Sequence, residues 1–171
     1  MSQPPTPAAG GVTLRPPRHL VSRRAVPYWT VRAAAGWLPL LMAAVVSTFL
    51  VPDRPAWAPW ALGGLVLLAV LHVAVMPQWR YRVHRWEVTP EAVYTQAGWF
   101  DQERRIAPTS RIQTVDTERG PLEQLFGLAK VTVTTASAAG PLEIHGLDHT
   151  TALRLADELT ATTQATPGDA T

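Results

Sequence analysis

Three closely spaced arginines, Arg104, Arg105 and Arg111, are the best candidates for an anion contact in the C-terminal half of the chain. Guanidinium groups hold phosphate or carboxylate through charge-assisted hydrogen bonds, so the cluster could contact an anionic lipid or partner. Asp101 and Glu103 lie beside it, and exposed ion pairs of this kind are common and weak. A solvated, salt-bridged strand edge is therefore the preferred interpretation, and an anion contact is the alternative.

The five histidines lack the spacing of a zinc site. His145 and His149 are four residues apart, but they straddle a strand end and a helix start, so a surface loop is preferred to a metal site. His72 lies within an apolar run, where it could pair inside a helical hairpin or with a partner helix. A proton relay in a membrane would need more polar groups than this.

The common catalytic patterns are absent. The chain has no cysteine, which excludes disulfides, thiolate metal sites and cysteine nucleophiles. It also has no Gly-x-Ser-x-Gly and no Gly-Lys-Ser/Thr motif. We therefore expect no enzymatic activity and no cofactor.

The elements that must position these residues begin with two apolar runs. Residues 33–51 carry no charge, and residues 57–76 contain His72 as their only ionisable side chain. Each run is long enough, as a helix, to cover roughly 30 Å, the thickness of the hydrocarbon core of a bilayer. Backbone amides in lipid must pair within the segment, so both runs should be helices. Only residues 52–56 separate them, which predicts a tight antiparallel hairpin.

Two alternatives to a membrane hairpin are less consistent with the sequence. A signal peptide cleaved near residues 56–58 would have too long an apolar stretch, with a second one following at once. A pair of core helices in a soluble protein would need a far larger partner layer than the rest of the chain provides.

Charge is divided unequally along the chain. Residues 1–56 hold six arginines and one acid, whereas residues 86–171 hold six cations and twelve acids, or 6 − 12 = −6. The basic residues therefore flank the apolar runs, and no nucleic-acid partner is expected. Excess arginine before the first run and after the second predicts a multi-pass protein of the plasma membrane with both termini in the cytoplasm. The residues predicted at the membrane interface are Arg23, Arg24, Trp29, Arg32, Trp57, Trp60, Trp79, Arg80 and Arg82.

The rest of the chain divides as follows. Residues 1–14 and 164–171 have the composition of disordered tails. Residues 15–32 form a basic juxtamembrane segment that we expect to lie on the headgroups. Residues 77–163 form a cytoplasmic domain, joined to the hairpin by a short linker at residues 77–82.

Period-two patterns predict several short strands in this domain. They fall at residues 83–88, 92–97, 99–106, 111–117 (with a bulge or bend), 131–134 and 142–144, and a short helical turn at residues 122–126 follows Gly120-Pro121. The last helix has Asp148 as a plausible N-cap and one apolar stripe of Ala152, Leu155, Ala156 and Leu159. This order predicts a small barrel or sandwich plugged by its C-terminal helix.

Part of the domain resembles a known family. The segments Trp86-Glu87-Val88-Thr89, Ile112-Gln113-Thr114-Val115-Asp116, Gly120-Pro121-Leu122-Glu123-Gln124-Leu125-Phe126-Gly127-Leu128 and Val131-Thr132-Val133-Thr134-Thr135-Ala136 resemble the bacterial PH-like domain family. The likeness is closest to its YdbS-like membrane branch, a two-helix hairpin plus one such domain. It spans roughly residues 20–162 and implies a membrane hairpin followed by a PH-like roll of about seven strands capped by a C-terminal helix.

The resemblance implies no activity and supplies no catalytic residue. Its pattern positions have a structural interpretation, in which glycines permit turns and apolar side chains face the sheet: Ile112, Val115, Gly120, Pro121, Leu122, Phe126, Gly127 and Leu128. Eukaryotic PH domains bind phosphoinositides with cations near their first hairpin loop. The corresponding turn is predicted at Thr89-Pro90-Glu91, which has no cation, so this activity is not expected.

The sequence therefore predicts a membrane-anchored interaction or scaffold module within a membrane-associated complex. Its partners would be the lipid bilayer and either another membrane protein or a second copy of the chain. The alternative is a sensor of anionic lipid that uses the arginines between positions 15 and 24 and between positions 80 and 85. A small transporter subunit or an enzyme has only the hairpin and His72 in its favour.

Overall fold

The computed structural model describes residues 16–53, 55–98, 100–137 and 140–165 of the 171-residue chain. Within these ranges two long helices are followed by two antiparallel sheets and a C-terminal helix, which is the predicted fold class. The tail predicted for residues 1–14 lies outside the described residues. So do residues 166–171 of the second predicted tail, whereas the last helix continues to Ala165.

Helices α1 (Ala25–Leu50) and α2 (Ala58–Val83) have 26 residues each and are long and apolar enough to cross a membrane. At 1.5 Å per residue each measures about 39 Å, so both extend beyond the charge-free runs. Many of their large apolar side chains face outward, as expected of helices surrounded by lipid. The indole Nε1 of Trp37 donates a hydrogen bond to Nδ1 of His72 across the hairpin, at 2.9 Å.

The prediction of a linker at residues 77–82 is wrong, because α2 continues through Pro77 to Val83. His84 then adopts an extended conformation, and the next strand begins at Arg85. A helix that leads directly into a strand allows little rotation between the two. The domain of strands and helices outside the hairpin, called the roll, is therefore not flexibly tethered to the hairpin.

Seven strands form two antiparallel sheets among the described residues. Sheet A has the order β1–β2–β3–β4, and sheet B has the order β5–β6–β7. The strands are β1 (His19–Leu20), β2 (Arg85–Val88), β3 (Ala92–Ala97), β4 (Glu103–Pro108), β5 (Ile112–Glu118), β6 (Leu128–Thr135) and β7 (Leu142–Asp148). A 3₁₀ turn at Thr109–Arg111, helix α3 (Pro121–Phe126) and helix α4 (His149–Ala165) complete the fold.

The first strand precedes the membrane helices and lies in the segment expected to rest on the headgroups. His19 pairs with Trp86 and Leu20 with Arg85, while the amide of Ser22 donates to the carbonyl of Gly146 at 2.8 Å. The hairpin is therefore an insertion between the first two strands of the roll. The first connection of the roll is consequently the hairpin itself, and the turn at residues 89–91 joins β2 to β3.

The remaining elements follow the sequence prediction with shifted ends. Strand β2 begins two residues later than predicted because Val83 still belongs to α2 and is buried there. Strand β4 begins at Glu103, and Trp99, where it was predicted to start, lies outside the described residues. The predicted bulge is confirmed by a register shift between Ile112 and Thr114.

The main core lies between the two sheets and α4. It contains Val93, Ala107, Ile112, Ala129, Val131, Val133, Leu142, Ile144, Leu147, Ala152, Leu155 and Leu159. Three of the four residues in the predicted stripe of α4 are in this core, and Ala156 is half-buried at its margin. Ile112 and Val115 of the family pattern pack in or against the same cluster.

A second apolar cluster joins the hairpin to the roll. Its buried members are Val21, Ala25, Tyr28, Trp29 and Leu128, with Tyr81, Trp86, Leu122 and Phe126 packed against them. Trp29 is only 2% exposed. Burial of an indole removes roughly 200 Å² of surface from water and contributes about 5 kcal/mol, an upper estimate. The first turns of α1 are thus part of the core of the roll.

Substitution of Gly146 can test this packing. It has φ +75°, and an added Cβ would lie 3.0 Å from the Cβ of Ala25, whereas Gly140 has φ +78° with open space around it. Both Gly146→Ala and Gly140→Ala incur a backbone cost of about 1–2 kcal/mol, and only the first also pushes α1 away from the sheet. We expect Gly146→Ala to lower the midpoint of thermal unfolding in detergent clearly more than Gly140→Ala. Equal midpoints for the two variants would show that α1 does not pack closely on β7.

Candidate functional site

Most of the predicted site residues gather at two places. One is a cleft beside β4, called the β4 cleft, and the other is the contact between the ends of the membrane helices and the roll, called the junction. The β4 cleft has a volume of about 590 Å³. Its lining residues are Glu103, Arg104, Arg105, Ile106, Ala107, Pro108, Arg111, Thr135, Ser137, Gly140 and Leu142.

The β4 cleft brings together all three arginines of the predicted cluster. Arg105 is held in place, because its Nε donates to Oε1 of Glu103 at 2.6 Å and its Nη1 donates to the carbonyl of Pro141 at 2.5 Å. Arg104 and Arg111 are exposed. Three guanidinium groups and one carboxylate give this cleft a positive charge within an acidic domain. A carboxylate or phosphate entering it could accept bidentate hydrogen bonds from arginine.

The β4 cleft also follows a strand edge. Strand β4 pairs with β3 and forms one border of sheet A, and every residue from Glu103 to Pro108 lines the cleft. An outer strand of a sheet can add an extended peptide as another strand. The outer strand of sheet A and a cluster of cations therefore border the same cleft.

At the junction, Trp29 corrects the sequence prediction of a membrane-interface indole. The ring is buried inside the protein, 5.1 Å from the ring of His84, and the guanidinium carbon of Arg80 lies 4.7 Å from its centroid. A cation over an indole face is electrostatically favourable. Arg80 thus packs on Trp29 within the junction, a role that its predicted place at the membrane interface did not include.

His84 is buried at the same place, and its contacts define one tautomer. Nδ1 lies 2.8 Å from the carbonyl of Arg80, and Nε2 lies 3.4 Å from Nε of Arg80. A neutral ring with its proton on Nδ1 donates to the carbonyl and accepts from the guanidinium, which satisfies both nitrogens. Burial and the nearby charge of Arg80 lower the pKa of His84 to about 4. The ring is therefore neutral at pH 7.

Polar contacts that the sequence did not reveal attach the N-terminal segment to the roll. The amide of Arg18 donates to Oε2 of the buried Glu87 at 3.2 Å, and its Nε lies 3.5 Å from Oε1. The hydroxyl of Ser22 donates to Oδ1 of Asp148 at 2.9 Å, and Nη1 of Arg24 lies 3.9 Å from the same oxygen. These partners lie 69 and 126 residues apart in sequence. No local pattern could have paired them.

The other predicted interface residues lie at the ends of the two helices. Trp57 and Trp60 are exposed at the start of α2, beside the loop of the hairpin. Near the roll the exposed residues are Arg23, Arg24, Arg32, Trp79 and Arg82. Indoles are therefore found at both ends of the hairpin and arginines beside the roll, the distribution typical of membrane–water interfaces.

The two histidines expected in a surface loop are in regular structure instead. His145 lies within β7, and His149 is the first residue of α4. Nε2 of His145 lies 2.9 Å from Oε2 of Glu143, while Lys130 contacts Glu143 at 3.3 Å and Glu118 at 2.8 Å. Burial lowers the pKa of His145, although Glu143 opposes the effect. No group of three or more His, Asp or Glu among the described residues could hold a metal ion.

The low pKa of His84 predicts a stability loss in acid. The unfolded chain binds a proton near pH 6.5 and the folded chain only near pH 4, so the contribution of His84 is complete above pH 6.5 and is lost as the pH falls toward 4. The loss amounts to at most about 3 kcal/mol. We expect the thermal midpoint in detergent to fall between pH 7 and pH 4.5, and to fall less in His84→Gln.

His145→Gln is the control for this experiment, because it removes a half-buried histidine of β7 and leaves the contacts of His84 with Arg80 in place. It should retain most of the acid sensitivity of the wild-type protein. Identical pH profiles for the wild-type protein and His84→Gln would mean that the junction does not lower the pKa of His84.

Comparisons with known proteins agree with this architecture. The bacterial PH domain family matches residues 33–163. The UPF0699 transmembrane protein YdbS of Bacillus subtilis (strain 168) is 30% identical over 158 residues, which cover 90% of this chain and 97% of that protein. No solved structure matches the chain. The chain is a membrane protein that belongs to the bacterial PH domain family.

Proposed function

We propose that this protein is a membrane-anchored interaction module that holds another membrane protein beside the inner leaflet as part of a complex. The observation that carries the proposal is the insertion of the hairpin between β1 and β2. A domain built from both ends of a hairpin has a fixed height and orientation above the bilayer. Its surfaces are presented only to proteins in or at the same membrane, where their effective concentration is high.

The β4 cleft is the surface that we assign to the partner. A strand edge binds an extended segment through main-chain hydrogen bonds, and side-chain pockets supply specificity. Arg104, Arg105 and Arg111 would select a segment that carries acidic side chains, since charge complementarity favours the correct partner and speeds encounter. A juxtamembrane acidic segment of another protein, or of a second copy of this chain, has the required chemistry.

The orientation that we propose places both termini in the cytoplasm and makes the chain multi-pass. Pairing of β1 with β2 supports the placement of the segments before α1 and after α2 on the same side of the membrane. Arginines on that side then assign it to the cytoplasm by the positive-inside rule. No catalytic role is proposed.

Recognition of anionic lipid is the alternative function. Arg23, Arg82 and Arg85 flank the hairpin and would attract anionic headgroups. However, Arg80 covers Trp29, Arg18 contacts Glu87 and Arg24 contacts Asp148, so several of these cations serve the junction itself. Unchanged folding and partner binding in vesicles of purely zwitterionic lipid would count against a lipid sensor.

Site-directed photo-crosslinking in intact cells tests the proposed partner site. A benzophenone amino acid at Ile106, on the edge of β4, should yield a discrete adduct with a membrane protein or with a second copy of the chain. The charge reversals Arg104→Glu and Arg111→Glu should reduce the adduct at least several-fold. Arg154→Glu, an exposed arginine on α4, is the matched control and should leave it unchanged.

Two outcomes would contradict the proposal. One is the absence of any adduct beyond the background given by the same photo-reactive group at Asp157 on α4. The other is an adduct that is equally strong in all three charge-reversal variants, since it would show that the cations of the β4 cleft do not select the partner.

Cysteine labelling tests the proposed orientation. Because the chain has no cysteine, one introduced residue is the only site for a maleimide. We expect Asp53→Cys, in the loop of the hairpin, to react with an impermeant maleimide on intact cells. Ser110→Cys, on the roll, should react only after the cells are permeabilised. The opposite pattern would mean that the roll is outside the cell.

A further inference from the structure

The roll has one end beside the membrane helices and one end away from them. In sheet A, Arg85 follows α2 and pairs with Gln96, so the connection between β3 and β4 lies at the helix end. In sheet B, the connection between β5 and β6 contains α3, whose Phe126 ring lies 6.2 Å from the ring of Tyr28 on α1. The turns at residues 89–91 and 109–111 and the connection between β6 and β7 lie at the opposite end.

Large exposed apolar side chains are found at one of these two ends. Phe100, in the connection between β3 and β4, is 90% exposed, and Leu125, in α3, is 78% exposed. In the described part of the roll, no other large apolar side chain is more than half exposed. The described residues of the three connections at the opposite end include none. Single exposed apolar residues are common on protein surfaces. Exposure to water does not explain why both of these side chains lie at the end of the roll beside the membrane hairpin.

The length of the helices places this end of the roll at the headgroups. Each helix is about 39 Å long, whereas the hydrocarbon core is roughly 30 Å thick and the polar layer on each side adds roughly 5–8 Å. Few turns of helix therefore remain between the hydrocarbon and the roll. Ala25, at the start of α1, is already packed against Gly146 of the roll. A side chain that projects from this end is within reach of the interfacial layer.

Charged side chains of both signs lie at this end of the roll. Arg23, Arg82 and Arg85 lie at the ends of the helices beside the roll, whereas Asp101 follows Phe100 and Glu123 lies in α3 with Leu125. The arginines favour anionic headgroups, and the exposed apolar side chains favour the boundary between headgroups and acyl chains. A protein partner on this face would have to occupy the space between the roll and the headgroups.

We propose that Phe100 and Leu125 insert into the interfacial layer of the inner leaflet and form two lipid contacts in addition to the hairpin. One contact comes from each sheet, so together with the helices they hold the roll at a set tilt. The tilt in turn determines which side of the roll, including the β4 cleft, faces along the membrane. The lipid contact does not depend on the proposed partner. It requires an apolar layer beneath the headgroups and does not require a particular headgroup.

Spin labels on single cysteines in the full chain, reconstituted into vesicles, test this contact. Labels at Phe100→Cys and Leu125→Cys should be more accessible to oxygen, which concentrates in the bilayer, than to a water-soluble nickel chelate. Ile106→Cys, an apolar position on β4, and Ser110→Cys, at the opposite end of the roll, are the controls and should show the reverse. The preference should be the same in phosphatidylcholine vesicles and in vesicles that also contain phosphatidylglycerol.

Two results of the same accessibility measurements would contradict the proposal. A label at position 100 or 125 that is as accessible to the nickel chelate as the label at position 110 would overturn it. A label shielded from both reagents would also overturn it, because a protein surface or a second copy would then cover the site. Loss of the photo-crosslinked adduct at Ile106 would leave this result unaffected, so the two proposals can fail separately.

Discussion

The structure depends on one constraint, which is that the first strand of the roll is separated from the second by two membrane helices. His19 and Leu20 pair with Trp86 and Arg85, so 64 residues of hairpin and turns lie between partners in one sheet (residues 21–84). Closure of a long loop in a flexible chain costs conformational entropy. Here the hairpin is itself an ordered structure, and its two ends meet at the roll, so it brings the strands together. The roll and the hairpin are therefore one folding unit.

The junction shows how a polar boundary is made between a membrane helix and a soluble core. Trp29 supplies a large apolar surface, and the guanidinium of Arg80 covers it with a cation. His84 can be buried beside that cation only because it is neutral, with one ring nitrogen donating to a carbonyl and the other accepting from the guanidinium. A charged imidazole would repel Arg80 and lose its acceptor. Protonation state and packing are thus determined by the same three side chains.

Much of the fold could be predicted from local sequence because its signals are local. A charge-free run of residues 33–51 is sufficient to predict a membrane helix, and the spacing of Ala152, Leu155 and Leu159 is sufficient to predict the buried face of α4. Strand β1 could not be found in this way, since two residues have no periodicity and their pairing depends on partners far along the chain. Nor could the sequence predict that residues 77–82 are helical, because proline and arginine more often mark the end of a membrane helix.

The candidate site was predictable to a smaller extent, for a related reason. Arg104, Arg105 and Arg111 were recognised as a cluster, but only the bend after β4 places Arg111 beside the cleft that the other two line. The aromatic preference for membrane interfaces assigned Trp29 to lipid, because that preference cannot distinguish an indole facing lipid from one facing the first turn of a packed domain. Burial of Trp29 follows from the position of Leu128 and Gly146, which no local pattern relates to it.

The segment on which the family resemblance most depends has a physical explanation in this architecture. Gly120 and Pro121 start α3, with the amide of Gly120 donating to Oε2 of Glu123, and Gly127 ends it at φ +67°. Because both ends of α3 are fixed in this way, Leu122 and Phe126 face Tyr28. Leu128, which is fully buried, then lies in the same cluster as Trp29. A side chain at position 127 would approach the guanidinium of Arg24 to 2.9 Å. The pattern therefore describes a surface shaped to receive the start of a membrane helix, and a roll without such a helix would expose it to water.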